Sequence, residues 1–558
     1  MKTHLSLLLF FVATLSAYTQ SSGNVGPRTK SYDDPAGGIY VSTTGNDATA
    51  DGSIDKPYKS INTALASAPE GSTIILRGGY YDEKNNVRIS KPNMTLKSAK
   101  GEWAVLYLPF ESDPSSGKQT STIRIDPNAH YAKLQTLEIT GGFYAVCLDT
   151  KWDWEQPDRS GVSNVIIEDC IIHDSRNDGI KVKPLCNNIT IRYNEIYNSG
   201  REHIAKPLFT TGQENSEGID NVNGNDMHVH NNYIHDICSN GVYAKGGAIG
   251  TVIENNIVER TYAAGILLGF DTSPQYFDTI VNPEYYENRE GIVRNNLVKN
   301  TGWEGIGLYA SKDAEVYNNT IVNAQEYGTA TVAGIVRSPI YFGIATQDWK
   351  NPKGCPANIN PNIHNNISVQ PNTFNNRMVE IRFTTILLNH PYNYNIDISG
   401  LSGNPTMNNN CYFIEGKDAA FRDNRPTSLL NNGTLSQWQS HISGDAGSIE
   451  ANPTLNANYM PTNINCVEMG LLYPLILNNT VGICCHTPIP EAIAYINNGV
   501  LYIQTPEQET IELSSMIGQS LLRLQKPEGE VSINILHLKN TMIIIRGSSG
   551  WVKKLFVQ

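Results

Sequence analysis

The sequence predicts an all-β chain, a right-handed parallel β-helix followed by a small β-sandwich, on three observations. The first is an internal repeat. The segments "ITIRYNEIYNS", "MHVHNNYIHDI", "TVIENNIVERT", "GIVRNNLVKNT", "AEVYNNTIVNA" and "PNIHNNISVQP" share an apolar residue, two polar residues, an asparagine and a second apolar run. The second is the column those asparagines make, Asn194, Asn232, Asn256, Asn296, Asn319 and Asn366, with Cys170 ahead of it as core filler. Its spacings are 24, 38, 24, 40, 23 and 47, a unit of about 24 residues with insertions. The third is what lies between: short β-rich runs without helical period, in a 558-residue chain with 17% charged residues and 46 glycines. One such coil cannot bury its apolar face alone, so neighbouring coils complete the core. Asparagines stacked at a turn hydrogen-bond along the axis, which explains their column without invoking function.

The remaining elements follow in order. "MKTHLSLLLFFVATLSAYTQ" has Lys2, an apolar run Leu5–Val12 and small residues at Ala17 and Thr19, and reads as a secretory signal peptide over residues 1–19. That run is too short to span a bilayer and no similar run follows, so the expectation is a secreted or cell-surface protein without a membrane span. Residues 20–38 read as a linker and 39–480 as the β-helix. Near its start a short amphipathic helix at Ser60–Ala68, with Ile61, Ala64 and Leu65 on one face, is expected to plug the open end of the solenoid. Nine cysteines without CxxC spacing are too few for a disulfide scaffold. Net charge is −12, which leaves no footprint for nucleic acid. An acidic polymer binds such a chain only through local cations or a bridging metal. From about Ile396 the repeat weakens, 481–490 reads as a second linker, and 491–558 alternates short strands and turns as a β-sandwich does. With "SMIGQSLLRLQ" and "GWVKKLFVQ", that last part resembles the C-terminal sorting domain of type IX secretion substrates over about 65 residues. The resemblance implies export through the periplasm and the type IX secretion machinery as a partner. An accessory binding sandwich carries the same pattern. A capped solenoid of this kind is expected to be a monomer.

A second column precedes the asparagines, in "NDGIKVK", "SEGIDNV", "NGVYAKG", "AAGILLG", "WEGIGLY" and "YFGIATQ", and begins with Asp178, Glu217, Asn240, Ala264, Glu304 and Phe342. Alternation along the strand then turns Asp178, Lys181 and Lys183 outward on one coil, Glu217 and Asp220 on the next, and Asn240, Tyr243 and Lys245 on the third. Coils stack about 4.8 Å apart, so these residues make one patch. Two insertions, near Arg201–Asn215 and Asp271–Glu290, flank the same face and are expected to wall a groove. Taken singly, Asp178 and Glu217 read equally well as solvated turn residues, Asp220 as a partner of Lys181, and Lys245 as an exposed lysine. Together, the three acids Asp178, Glu217 and Asp220 offer the oxygen ligands that suit Ca²⁺. Lys181, Lys183, Arg201, His203 and Lys206 are candidate ligands for substrate carboxylates. Tyr243, Tyr276, Phe277, Tyr285 and Tyr286 are candidates for stacking on sugar rings, although the loop aromatics equally pack their own loop.

"NDGIKVK" followed by "SEGID" resembles the acidic coil of polysaccharide lyase family 9, the β-helical, pectin-lyase-like pectate lyases. In that family Asp-Asp-Gly-aromatic-Asp and an aspartate of the preceding coil hold Ca²⁺, and a downstream lysine is the base. The resemblance implies Glu217 and Asp220 as two of the acids, Asp178 as the acid one coil earlier, and Lys245, by its column, as the base. Ser216 stands where an acid is expected and Glu217 replaces an aspartate. The implied reaction is calcium-dependent β-elimination on an acidic, uronate-containing polysaccharide. Its base must be neutral, which nearby cations favour. Uronate C5-epimerisation uses the same proton abstraction. Cleavage of alginate or a glycosaminoglycan, β-helical glycoside hydrolysis and non-catalytic glycan binding or adhesion are the other open readings. The Asn-Thr-Asp, Gly-His-Gly and Arg-Ile-Lys signatures of polygalacturonases are missing.

Overall fold

The computed structural model describes residues 23–557 except 29–31, 110–119, 153–157, 201–215, 327–336, 347–355, 372–376, 389–393, 479–492 and six short segments beyond them (498–499, 506–508, 516–519, 527–528, 539–540 and 548–551). The expected signal peptide, Arg201, His203 and Lys206 lie outside the described residues. Three sheets of 12 strands run the length of the coil stack, and each full coil contributes one strand to each. All pairings in them are parallel except the last, where Leu430–Gly433 turns back on Ala420–Asp423. The chain is therefore a parallel β-helix, as the repeat predicts.

Its interior is built from columns of like residues in register. Ile167, Ile191, Val229, Ile253, Val293, Val316, Ile363 and Met407 occupy equivalent positions on eight successive strands of one sheet, all within a single buried cluster. The turn after this sheet carries the asparagine ladder. Asn194, Asn232, Asn256, Asn296, Asn319 and Asn366 each donate from Nδ2 to Oδ1 of the next asparagine at 3.0–3.1 Å. The ladder has one rung more than the sequence column, Asn410, which passes the chain of bonds to Asp445. The residue before each rung bends the turn: Tyr193, Asn231, Asn255, Asn295, Asn318, Asn365 and Asn409 all have φ between 50° and 58°. Asparagine tolerates that left-handed conformation better than most residues. The "NN" pair is thus one asparagine for the bend and one for the ladder.

The helix Ile61–Ser67 covers the first coil, capped by Ser60, whose side chain accepts from the Thr63 amide, with Ile61, Ala64 and Leu65 buried as expected. At the far end, residues 452–478 add no coil. They return along the ladder edge: Gly470 N donates to Asn365 O, Leu472 N to Asn295 Oδ1, and Tyr473 Oη to Asn255 Oδ1. Ile476–Leu477 then pairs with Asn24–Val25, and Arg28 continues the line, pairing with Asp169 at 2.7 Å over the Tyr193 ring. Val25, Leu471 and Leu475 are buried there against Ile257 and Leu297. The two ends of the stack region thus cover one edge of the solenoid. Residues 493–557 form two antiparallel sheets of three and four strands with a separate core of Leu501, Ile503, Ile511, Leu513, Ile535, Ile543 and Ile545. Among the described residues no helix is long and apolar enough to cross a membrane.

Candidate functional site

The third sheet positions the site, and glycine sets its geometry. Each of its central strands begins with a glycine packed on the next coil. A Cβ on Gly218 would stand 2.6 Å from Gly241 O, so no larger residue fits. The residue before each glycine, Asp178 or Glu217, is thereby brought to the same edge. Register then pairs Lys181 with Asp220, Asp220 with Tyr243, and Val222 with Lys245.

Asp178, Glu217 and Asp220 converge as predicted, with carboxylate oxygens within 4.8 Å of one another. They are buried, at 0%, 3% and 0% exposure, not solvated. Glu217 N donates to Asp178 Oδ1 at 3.1 Å, and Ser239 Oγ and Asn240 Nδ2 donate to Glu217 Oε1 at 2.9 and 3.2 Å. One oxygen of each acid, Asp178 Oδ2, Glu217 Oε2 and Asp220 Oδ1, accepts no hydrogen bond. Burial, with Asp220 and Glu217 adjacent, holds Asp178 well above the usual carboxylate range against the pull of Lys181. Burial and Asp220 raise Glu217 likewise. Buried carboxylate oxygens without a hydrogen bond are costly, and a hard cation with several oxygen ligands is a group that would satisfy them.

Two of the candidate substrate-binding residues are engaged within the protein. The Lys181 ammonium is the counter-ion of the pocket, paired with Asp220 and 3.4 Å from Asp178 Oδ2. Burial disfavours its charge, but Asp220 and Asp178 outweigh burial and hold it well above the ordinary lysine value. Tyr243 is 1% exposed, packed with Leu267 and Tyr309 beneath Phe270, so its ring is closed to a sugar. Lys183 pairs with Asp149 at 2.9 Å and keeps part of its side chain in solvent. Arg124 reaches the same Asp149 from the coil before.

The Asp271–Glu290 insertion does form a wall. Trp152 Nε1 donates to Gln275 O at 3.0 Å, Asn223 Nδ2 to Tyr276 O at 2.7 Å, and Arg159 pairs with Asp278. The loop thus reaches back across the strand ends of earlier coils. Tyr276 is exposed on it, whereas Tyr285 leans on the Phe277 ring at 5.3 Å. The opposite insertion lies outside the described residues, with Arg201 and Lys206.

Lys245 lies one coil beyond Asp220 and two residues along, about 8 Å away by strand geometry. It is 9% exposed, with Nζ 3.3 Å from the Asp271 carbonyl and 4.4 Å from the Tyr243 ring. Glu287 sets this end of the strand, accepting from Gly246 N at 2.7 Å, Thr272 N at 2.8 Å and Thr272 Oγ1 at 2.6 Å. Burial pushes Glu287 up to about 8, so it is largely uncharged at neutral pH. Ser239, Glu287 and Asp149 escaped the sequence reading. Asp149 is visible by extending the Lys183 column one coil upstream. Glu287 lies inside an insertion, where no column reaches.

The model of the right-handed β-helix region family matches residues 121–275 and 214–335. Over 122 residues the chain is 34% identical to pectate lyase PEL9 of Emericella nidulans, a match covering 20% of this chain and 30% of that protein. Among solved structures, pectate lyase Pel9A is 15% identical with a TM-score of 0.40, over 61% of this chain and 76% of that one. The catalytic domain of a GH87 α-1,3-glucanase is 12% identical with a TM-score of 0.44, over 72% and 65%. By its own coils, and by the family model over residues 121–335, the chain is a right-handed parallel β-helix carrying a stretch similar to a pectate lyase.

Proposed function

We propose that the chain is an exported, calcium-dependent lyase that cleaves a uronate-containing polysaccharide by β-elimination, with Lys245 as the base. One observation carries this reading: three buried carboxylates on two adjacent coils, each with an oxygen that accepts no hydrogen bond, stand beside a lysine of the next coil under a loop. Asp178, Glu217 and Asp220 would hold Ca²⁺, with Ser239 and Asn240 orienting Glu217. Held there, the ion would supply stabilisation of the charge that develops when C5 loses its proton. Lys245 takes that proton at Nζ, oriented by the Asp271 carbonyl and shielded by the Tyr243 and Phe270 rings. The C5–H electron pair becomes a C4=C5 double bond as the C4–O4 bond breaks, and the departing O4 takes up a proton from solvent, leaving an unsaturated sugar. Tyr276, exposed on the loop, would flank a sugar ring. The antiparallel C-terminal unit supports handover to type IX secretion machinery as the route of export.

The test is the ultraviolet absorbance of the unsaturated product on pectin, alginate and chondroitin, with calcium and with chelator. The expected result is product on one polymer that disappears with chelator and in Lys245→Ala. Undiminished activity in Lys245→Ala overturns the base assignment. Exchange of the C5 proton without cleavage identifies an epimerase, and no reaction on any uronate polymer overturns the lyase reading in favour of glycoside hydrolysis or glycan binding.

A further inference from the structure

Two cysteine sulfurs meet where the returning segment crosses the coil stack. Cys411 directly follows the last ladder rung, Asn410, and opens the strand Cys411–Ile414. Cys466 closes a single turn of 3-10 helix, Ile464–Cys466, in the return segment. Their Sγ atoms lie 3.4 Å apart, 55 residues apart in sequence, both sealed from solvent among Ile367, Met469 and Val369. Cys411 Sγ also donates to Ala451 O at 3.2 Å, as Cys170 and Cys186 donate to main-chain carbonyls, so its contact with Cys466 is additional to a bond of that ordinary kind.

We propose that Cys411 and Cys466 are joined as a disulfide in the exported protein, clamping the return segment 452–478 onto the ladder edge. A disulfide needs the sulfurs at about 2.05 Å, within reach of side-chain rotation from the present contact. The two thiols give up two electrons and two protons to a disulfide-bearing oxidant of the export compartment, whose own S–S bond is reduced to two thiols. One cysteine thiolate attacks that oxidant to form a mixed disulfide, and the other displaces the oxidant's thiolate. Burial raises the Cys411 thiol, so the exchange belongs to the moment when the segment docks, and the closed bond is then shielded from reductants. The clamp fits its position. The return segment holds the stack by scattered hydrogen bonds and a small apolar cluster, without a sheet ladder of its own until Ile476. The inference depends on export and not on the lyase reading.

The test uses the full chain exported to an oxidising periplasm, unfolded in N-ethylmaleimide without reductant, and then peptide-mapped. The expected result is one peptide pair joining Cys411 to Cys466 that separates on reduction. Both thiols carrying the label, or either paired with another of the nine cysteines, overturns the proposal. For the clamp itself, limited proteolysis of the folded protein is compared before and after reduction, and in Cys411→Ser and Cys466→Ser. Cleavage within 452–478 at least about tenfold faster after reduction, with the coils uncut, is expected, because opening of a local segment sets its proteolysis rate. Equal cleavage rates overturn the clamp. The wild-type map requires no variant to fold.

Discussion

Lys181 and Asp220 are register partners on adjacent coils, and their side chains form an ion pair inside the pocket that also holds Asp178 and Glu217. One ammonium is therefore shared by three buried carboxyl groups, two of which, Asp178 and Glu217, are raised and hold their protons more tightly than usual. Two consequences follow from that arithmetic of charge. A divalent cation would have to displace those protons, and Lys181 competes with it for Asp220.

Replacing Lys181 by Gln removes the counter-ion. Leaving buried carboxylates uncompensated costs about 3–5 kcal/mol, so Lys181→Gln in chelator is expected to unfold well below the wild type. Calcium is expected to restore most of that loss and to bind the variant more tightly than the wild type. Thermal unfolding with and without calcium, and calorimetric titration, measure both. Calcium-independent melting of both proteins would remove the metal from the pocket.

The raised Asp178 and Glu217 give calcium binding a pH dependence. Both hold protons above the usual carboxylate range when no metal is present, and the ion requires them ionised. Affinity is therefore expected to climb as pH rises through that range, with protons released on binding. An acid raised in the folded state binds its proton more tightly there than in the unfolded chain. The metal-free protein accordingly loses stability as pH climbs from the unfolded value through the folded one. Titrations in buffers of different ionisation heat count the protons, and zero release would contradict the assignment.

The ladder is testable away from the site. Asn256 accepts from Asn232 N and Nδ2 and donates to Asn296 and Val229 O, all buried. Asn256→Ala orphans these groups and is expected to cost about 2–4 kcal/mol, since an unmade buried hydrogen bond costs more than a made one contributes. Denaturant unfolding measures it, and a loss under about 0.5 kcal/mol would mean that water replaces the rung.

His173 makes a second pH dependence with the opposite origin. Burial works to lower it, but bonds to Asp174 at 2.6 Å and Glu138 at 3.3 Å overcome burial and raise it to about 9. Its stabilisation is complete below the unfolded value near 6.5 and disappears as pH rises through 9, a difference on the order of 3 kcal/mol. Unfolding at pH 6 and pH 9.5 is expected to show the loss in the wild type and less of it in His173→Asn. Equal pH slopes for the two would sink this.

Much of this was legible because it is periodic. The rungs, the glycines before each strand and the capping helix at Ile61–Ser67 each answer a local or nearest-coil demand, and such demands repeat in the sequence. Asn410 was missed because it sits in "NNN", 44 residues past Asn366, where the period is blurred by insertion. The acid trio was legible for the same reason, since Asp178, Glu217 and Asp220 occupy fixed column positions.

What neighbouring charges and insertions do to a column was not legible. A column shows that Lys181 and Tyr243 leave the core, but not what lies above them. Asp220 draws Lys181 into the pocket, and Phe270, from the start of the second insertion, closes over Tyr243. Glu287 reaches Gly246 across 41 residues, and Tyr473 reaches Asn255 across 218. The sequence by itself determined the solenoid, its ladder and the place of the acids, because stacking enforces the same choice in every coil. Only the tertiary structure decided which charges are buried, what pairs with them and which edge the chain ends cover. Those depend on single long-range contacts that no repeat encodes.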